Sequence, residues 1–239
     1  MTDEVSTPRF GSPHRHYRRT DSTNTRTREL AAAGAPHGTV VTANEQTGGR
    51  GRQGRTWTAP PGAALLYSAV LRPLEPHHSL LPLAAALAVC ETAERLRPGV
   101  ACKVKWPNDV HLDGRKLAGI LIEARPQDGW AVLGIGLNLT ISPDEFPTEL
   151  QERATSLFPP RPNEASAVLN DRLAEWLDAS EERVLAAWRE RDALRGREVS
   201  WEGGSGVAEG IDERGYLVVR LADGDRVVLG AGDVHLASF

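Results

Sequence analysis

The sequence predicts an α+β protein: a mixed, largely antiparallel sheet packed with helices, followed by a small C-terminal β barrel. Three observations predict it. Short apolar runs of strand length recur between residues 100 and 140 with Asp113-Gly114 and Asp128-Gly129 at their junctions, turn chemistry that favours antiparallel hairpins. Leu80 to Leu96 and Asn163 to about Leu194 read as helical, the second with Leu173, Trp176, Leu177, Val184, Leu185 and Trp188 as its apolar positions. From Arg197 onward, short strands alternate with turns at Gly203-Gly204, Asp212 to Gly215, Asp223-Gly224 and Gly230 to Gly232, as in a barrel of roughly forty residues.

The elements follow in order. Residues 1–20 are polar, interleave Arg9, Arg15, Arg18 and Arg19 with His14 and His16, and lack a helical or strand period, so they read as a flexible tail. Asp21-Ser22-Thr23-Asn24 reads as a helix N-cap, with Gly34 as the stop. Thr39 to Ala43 and Leu65 to Leu71 read as strands, separated by a Gly- and Arg-rich segment and Pro60-Pro61. The helix from Leu80 ends at Pro98-Gly99. Strands follow at Cys102 to Trp106, Val110 to Leu112, Leu117 to Ala124 and Trp130 to Leu139. Residues 140–162 are acidic and Pro-punctuated, a surface connection, and Gly196 closes the second helical stretch. The division is then a tail over 1–20, a main domain over 21–195 and a barrel over 196–239.

Composition narrows function. A chain of 239 residues, 40% hydrophobic, suffices for one sizeable core and an appendage. Twenty-eight Lys and Arg against thirty-two Asp and Glu give a net charge of −4, so any anion-binding role is local rather than global. Cys90 and Cys102 form neither a disulfide framework nor a CxxC pair, which fits a reducing cytoplasm and argues against zinc. The longest apolar run, Leu80 to Cys90, contains Pro82 and falls short of the ~20 residues of a membrane span. The acidic first residues lack the pattern of a secretory signal.

Three stretches carry chemistry. Gln46 to Trp57 holds four glycines and three arginines with no acid. It formally contains GxGxxG and nearly a P-loop, but both must open a helix, and Pro60-Pro61 follows instead. What survives is physical. Glycines let the backbone approach an anion, and arginine forks grip carboxylate or phosphate, so the loop reads as one that orders around its ligand. In the second stretch, Lys105 to Val110 followed by Arg115 to Leu121, Asn108-Asp109 is ordinary turn chemistry. Lys116 leads into an apolar strand and is either a fixed point charge in a partly buried site or a strand-end surface lysine. In the third, Gly134 and Gly136 alternate on a strand: they clear one face for a flat ligand, with Asn138 continuing that face, or they mark a bulge.

Taken together these pieces resemble the biotin–protein ligase family, in order and in content. The resemblance is carried by Asp21-Ser22-Thr23-Asn24, Gln46 with the GRGRxGRxW run Gly49 to Trp57, the KWPND run Lys105 to Asp109, Lys116 to Glu123, and Gly134 to Asn138. It spans about residue 15 to the C-terminus. It implies the class II aminoacyl-tRNA synthetase-like catalytic fold of that family and an SH3-like barrel. It implies that biotin is activated with Mg-ATP and transferred to one lysine of a biotin carboxyl carrier protein. By that likeness Ser22, Thr23, Asn24 and Gln46 hold the biotin head, the backbone of Arg50, Gly51 and Arg52 covers it, and Gly134 and Gly136 belong to the same pocket. Arg52 and Arg55 meet phosphates, Trp57, Asn108 and Asn138 complete the ATP contacts, and Lys116 meets both the biotin carboxylate and the α-phosphate.

That assignment makes Lys116, Arg52 and Asp109 the catalytic group: two cations that cancel charge as two anions approach, and a carboxylate that accepts or orients the proton of the acceptor lysine. The magnesium ligands are not implied. Some members of the family carry an N-terminal helix-turn-helix domain and repress transcription, and the unpatterned residues before Asp21 are too few for one, so no DNA partner is expected. A monomer and a homodimer are both open. The competing readings are a lipoate or octanoate ligase of the same fold, and a non-catalytic nucleotide- or nucleic-acid-binding module.

Overall fold

The computed structural model describes residues 10–74, 80–230, 232 and 234–236. Seven strands form the main sheet: β1 (His14–Tyr17), β2 (Val40–Ala43), β3 (Ala64–Leu71), β4 (Cys102–Lys105), β5 (Asp109–Leu112), β6 (Arg115–Arg125) and β7 (Trp130–Asn138). They lie in the order β1-β2-β3-β7-β6-β5-β4, and only β1 and β2 run parallel. The β5–β6 hairpin turns where the sequence predicts, with Asp113 and Gly114 both at positive φ (51° and 76°), the left-handed pair that Asp-Gly adopts cheaply.

Helix α2 (Leu81–Leu96) covers one face and is buried nearly all round, which its alanines permit by letting the sheet and its neighbours α3 (Ala165–Leu177) and α4 (Glu181–Glu190) approach closely. The opposite face carries α1 (Thr23–Ala32), the Gly/Arg loop and residues 140–157. Five antiparallel strands follow: β8 (Glu198–Trp201), β9 (Gly204–Ile211), β10 (Leu217–Arg220), β11 (Arg226–Leu229) and β12 (His235–Leu236), ordered β11-β10-β9-β8-β12. Their inward residues Val199, Ala208, Ile211, Leu217 and Val219 join the same apolar core as the main sheet. No helix among the described residues is long and apolar enough to cross a membrane.

Three expectations need correction. Residues 10–20 are not a tail: β1 pairs with β2 over four residues and Thr20 bridges to Gln46, because main-chain hydrogen bonds need no hydrophobic period. Residues 1–9 lie outside the described residues. The stretch from Asn163 to Leu194 is not one helix. It breaks between Leu177 and Glu181, where Ser180 caps α4 by accepting a hydrogen bond from the Arg183 N–H at 3.3 Å. Residues 140–162 are not only a surface connection, since Ile141, Phe146 and Ala154 pack into a second cluster with Ala43, Ala63, Ala64 and Leu66.

The two sheets are tied at Trp106, whose buried indole N–H donates to the Gly215 carbonyl at 3.0 Å. Trp106→Phe leaves that carbonyl without its partner, so a loss of about 1–3 kcal/mol is expected. Urea unfolding monitored by circular dichroism checks it; an unchanged midpoint would show that the tie carries no stability.

Candidate functional site

Directly paired residues in an antiparallel sheet share a face, so the register assembles the site in two rows. The first runs Lys105, Asp109, Gly119, Gly136 and Leu66 across β4, β5, β6, β7 and β3. The second runs Leu121, Gly134 and Ser68 across β6, β7 and β3. Glycines in both rows do clear the face, but protein fills the space. A Cβ on Gly136 would overlap the Trp57 indole, and one on Gly134 would overlap the Asn24 amide. A Cβ on Gly119 would lie 3.1 Å from Trp57 and 3.3 Å from the Lys116 Nζ. The expectation of a flat ligand lying directly on Gly134 and Gly136 is therefore revised: the cleared space seats the Asn24 and Trp57 side chains. Both are in ordinary strand pairing, so the bulge alternative falls.

At the second row, α1 delivers Thr23 and Asn24 into a polar network. The Thr23 N–H and hydroxyl meet Gln46 Oε1 at 2.6 and 3.0 Å. The Ser68 hydroxyl lies 2.8 Å from Thr23 Oγ1 and 2.6 Å from Asn24 Oδ1. The Asn24 NH2 donates to Glu123 Oε2 at 2.7 Å. Two hydroxyl hydrogens thus serve three oxygen–oxygen contacts, those of Ser68 with Thr23, Ser68 with Asn24 and Thr23 with Gln46. One contact always lacks a proton, and the network has room for an N–H donor from outside. Ser22 is buried beside it, in extended backbone at the helix start, without a side-chain capping bond.

Sequence reasoning missed Ser68 and gave Glu123 no role. Ser68 is fully buried, and its signal was a lone small hydroxyl in the apolar run of β3. Glu123, in the apolar strand β6, was the comparable signal.

At the N-terminus of α1, the Arg26 guanidinium grips both Asp21 carboxyl oxygens at 3.1 and 2.9 Å and, with the Ser22 N–H, holds the Asp21 pKa down to about 2. A carboxyl pKa depressed on folding adds stability above its unfolded value near 4, lost as pH falls towards 2. Because the pair is half exposed, under about 1 kcal/mol is expected. Asp21→Asn should remove that part of the acid-unfolding profile and leave stability at pH 1.5 unchanged.

The first row is cationic. Lys116 Nζ sits 2.7 Å from Asp109 Oδ1 and 5.8 Å from the centroid of a Trp57 ring, which puts it in the site and not on an open strand end. Arg52 donates to Asn108 Oδ1 at 3.0 Å and to the Gly232 carbonyl at 3.2 Å, and Asn108 in turn donates to the Ile120 carbonyl at 2.7 Å. Burial pulls the Arg52 pKa down, Asp109 opposing and Arg55 adding to the fall. Burial likewise lowers Lys105, against Asp109 and with the help of Lys116 and Arg55. Lys105, Lys116 and Arg52 thus gather around Asp109, with Arg55 beside Arg52 and Lys105, an arrangement that favours an incoming polyanion. The NH2 of buried Asn138 donates to the Thr155 carbonyl at 3.0 Å, tying β7 to the covering segment.

The Gly/Arg loop folds as a hydrogen-bonded turn. The Gly51 N–H donates to the Arg55 carbonyl at 2.7 Å, the Trp57 N–H to the Gly49 carbonyl at 3.0 Å, and Gln53 and Gly54 turn the tip at positive φ. Nor do its arginines lack a countercharge, because Arg50 lies 3.3 Å from Glu123 Oε2. The partner comes from 73 residues away, where a local reading of the loop cannot see it. Residues 47–56 with Leu121 and Glu123 line an open cleft of about 590 Å³. Among the described residues no group of three or more His, Cys, Asp or Glu side chains is arranged to hold a metal ion.

Fold and site have counterparts in known proteins. Residues 16–139 match the Biotin/lipoate A/B protein ligase family, and residues 196–236 match the Biotin protein ligase C terminal domain. The chain belongs to the biotin/lipoate A/B protein ligase family, on its biotin protein ligase side. The biotin--[acetyl-CoA-carboxylase] ligase of Mycobacterium tuberculosis is 39% identical over 239 residues, covering 91% of this chain and 86% of that protein. The bifunctional ligase/repressor BirA of Bacillus subtilis is 40% identical over 141 residues, 57% of this chain, and the match spans only 43% of that longer relative. The biotin protein ligase of Aquifex aeolicus, solved in complex with biotin and ATP, superposes with a TM-score of 0.82 at 28% identity, over 95% of this chain and 99% of that one.

Proposed function

We propose that the chain activates biotin with ATP and transfers the biotinyl group to one lysine of a biotin carboxyl carrier protein. The observation that carries this is the pairing, on one sheet face and under one loop, of a buried donor-poor network with a cluster of three cations around one carboxylate and a fourth, Arg55, beside them. A cyclic urea supplies N–H donors to the first; a carboxylate and a triphosphate suit the second. The dithiolane of lipoate has no N–H to give, so the donor-poor network favours biotin over a lipoyl substrate.

In the first half-reaction a biotin carboxylate oxygen forms a bond to the α-phosphorus of ATP and the bond to pyrophosphate breaks. Two anions approach, and Lys116, with Arg52 and Arg55, cancels charge as it concentrates. Trp57 forms a wall for the adenine, and Asn108 holds Arg52 in position. Asp109 is the carboxylate of this cluster that would help hold a magnesium ion carried by ATP, and the ion would supply neutralisation of phosphate charge. In the second half-reaction a neutral lysine amine attacks the acyl carbon, AMP leaves, and Asp109 accepts or orients the released proton. The Gly/Arg loop keeps water from the mixed anhydride between the two steps.

The catalytic unit runs to residue 195 and takes in β1 with the rest of the main sheet, and the module that follows contributes on the nucleotide side through the Gly232 carbonyl and Arg52. The test is exchange of labelled pyrophosphate into ATP with biotin, lipoate or octanoate, followed by transfer to a carrier domain. Exchange with biotin alone and labelling of one carrier lysine are expected; exchange with lipoate in preference to biotin, or with no acid at all, would overturn the reading.

A further inference from the structure

We propose that Glu123 is a positioning residue that sets which acids the pocket accepts, by holding the Asn24 amide with its oxygen towards the pocket and by holding the Gly/Arg loop through Arg50. This rests on the reading of the chain as a biotin-activating ligase. A carboxylate can only accept, so at 2.7 Å from Glu123 Oε2 the Asn24 amide must present its NH2 to Glu123 and its oxygen to Ser68, 2.6 Å away. That orientation leaves two hydroxyl hydrogens for three contacts.

Turned over, the amide would donate to Ser68. Ser68 would then donate to Thr23 and Thr23 to Gln46, and every contact would have its proton. The pocket would have no call on a ligand N–H. Glu123 therefore keeps the pocket short of donors, and a head group with N–H, such as a cyclic urea, donates to the oxygen left without a proton, whereas an acid without one leaves that buried oxygen unpaired. The same Glu123 Oε2 lies 3.3 Å from Arg50, and Oε1 lies 3.8 Å from Arg28 on α1. One carboxylate thus joins the amide that reads the head group to the loop that covers it, and the cleft between loop and β6 is lined by Glu123 itself.

The experiment measures biotin and lipoate binding by calorimetry on the full chain and on Glu123→Gln, Asn24→Ala and the double variant, and follows tryptic cleavage after Arg50 without ligand. Glu123→Gln should weaken biotin about tenfold, change lipoate less than twofold, and add less than twofold in the Asn24→Ala background. Cleavage after Arg50 should become about threefold faster. Unchanged biotin affinity, equal loss for both acids, or full additivity with Asn24→Ala would overturn the proposal. If Glu123→Gln does not fold, Glu123→Asp, which shortens the reach to Asn24, enters the same cycle. Failure of the wild-type chain to bind biotin would instead defeat the proposed function, and the cleavage rates would still decide whether Glu123 holds the loop.

Discussion

Lys116→Ala is expected to cut biotin-dependent pyrophosphate exchange by about a hundredfold or more, the loss of one preorganised charge contact worth ~3 kcal/mol in the transition state. The ammonium is placed for that role by its surroundings. Asp109 holds it at 2.7 Å, the Trp57 ring flanks it, and Gly119 below has no Cβ to displace it. Lys116→Arg is expected to restore little, because a planar fork cannot occupy a slot in which a single Cβ on Gly119 would already lie 3.3 Å from Nζ. Biotin affinity should fall less than the exchange rate, since a charge acting on the transition state lowers kcat more than it raises KM. Wild-type exchange from Lys116→Ala would remove the residue from the chemistry and leave Arg52 as the main cation.

The site was legible where its chemistry is local. The Gly/Arg run and Lys116 announced local positive charge, and the structure brings Lys116, Arg52 and the unassigned Lys105 together around Asp109, with Arg55 beside Arg52 and Lys105. The strands were legible through turn dipeptides such as Asp113-Gly114, whose backbone preference does not depend on the rest of the chain. What could not be read was cross-chain pairing. Ser68 looks like a tolerated small residue until β3–β7 register sets it opposite Gly134, where the Asn24 amide descends on it. Glu123 looks like a solvent-facing acid in a strand until α1 and the loop converge on it.

The errors share that origin. His14 to Tyr17 has no apolar period because its pairing with β2 is main-chain and its side chains stay largely exposed at the sheet edge. The break between α3 and α4 leaves the helical spacing of apolar residues intact on both sides, so periodicity alone runs through it.

Alanine at the two glycines of β7 should separate the halves of the site. A Cβ at Gly136 overlaps the Trp57 indole, and one at Gly134 overlaps the Asn24 amide, in each case against a strand that pairing on both sides holds fixed. The side chain must therefore leave. Overpacking of this kind costs about 1–3 kcal/mol, which corresponds to roughly tenfold to a hundredfold in affinity when it falls on a binding contact. Gly136→Ala is expected to raise the KM for ATP by that factor and that for biotin far less, because Trp57 faces the cationic row. Gly134→Ala is expected to do the reverse, because it displaces Asn24 from Ser68 and Glu123 and so dismantles the donor-poor network. Steady-state exchange kinetics with each substrate varied in turn distinguish the two. If both substitutions raise both constants equally, the rows do not act as separate subsites, and the glycines matter only because the sheet cannot be packed without them.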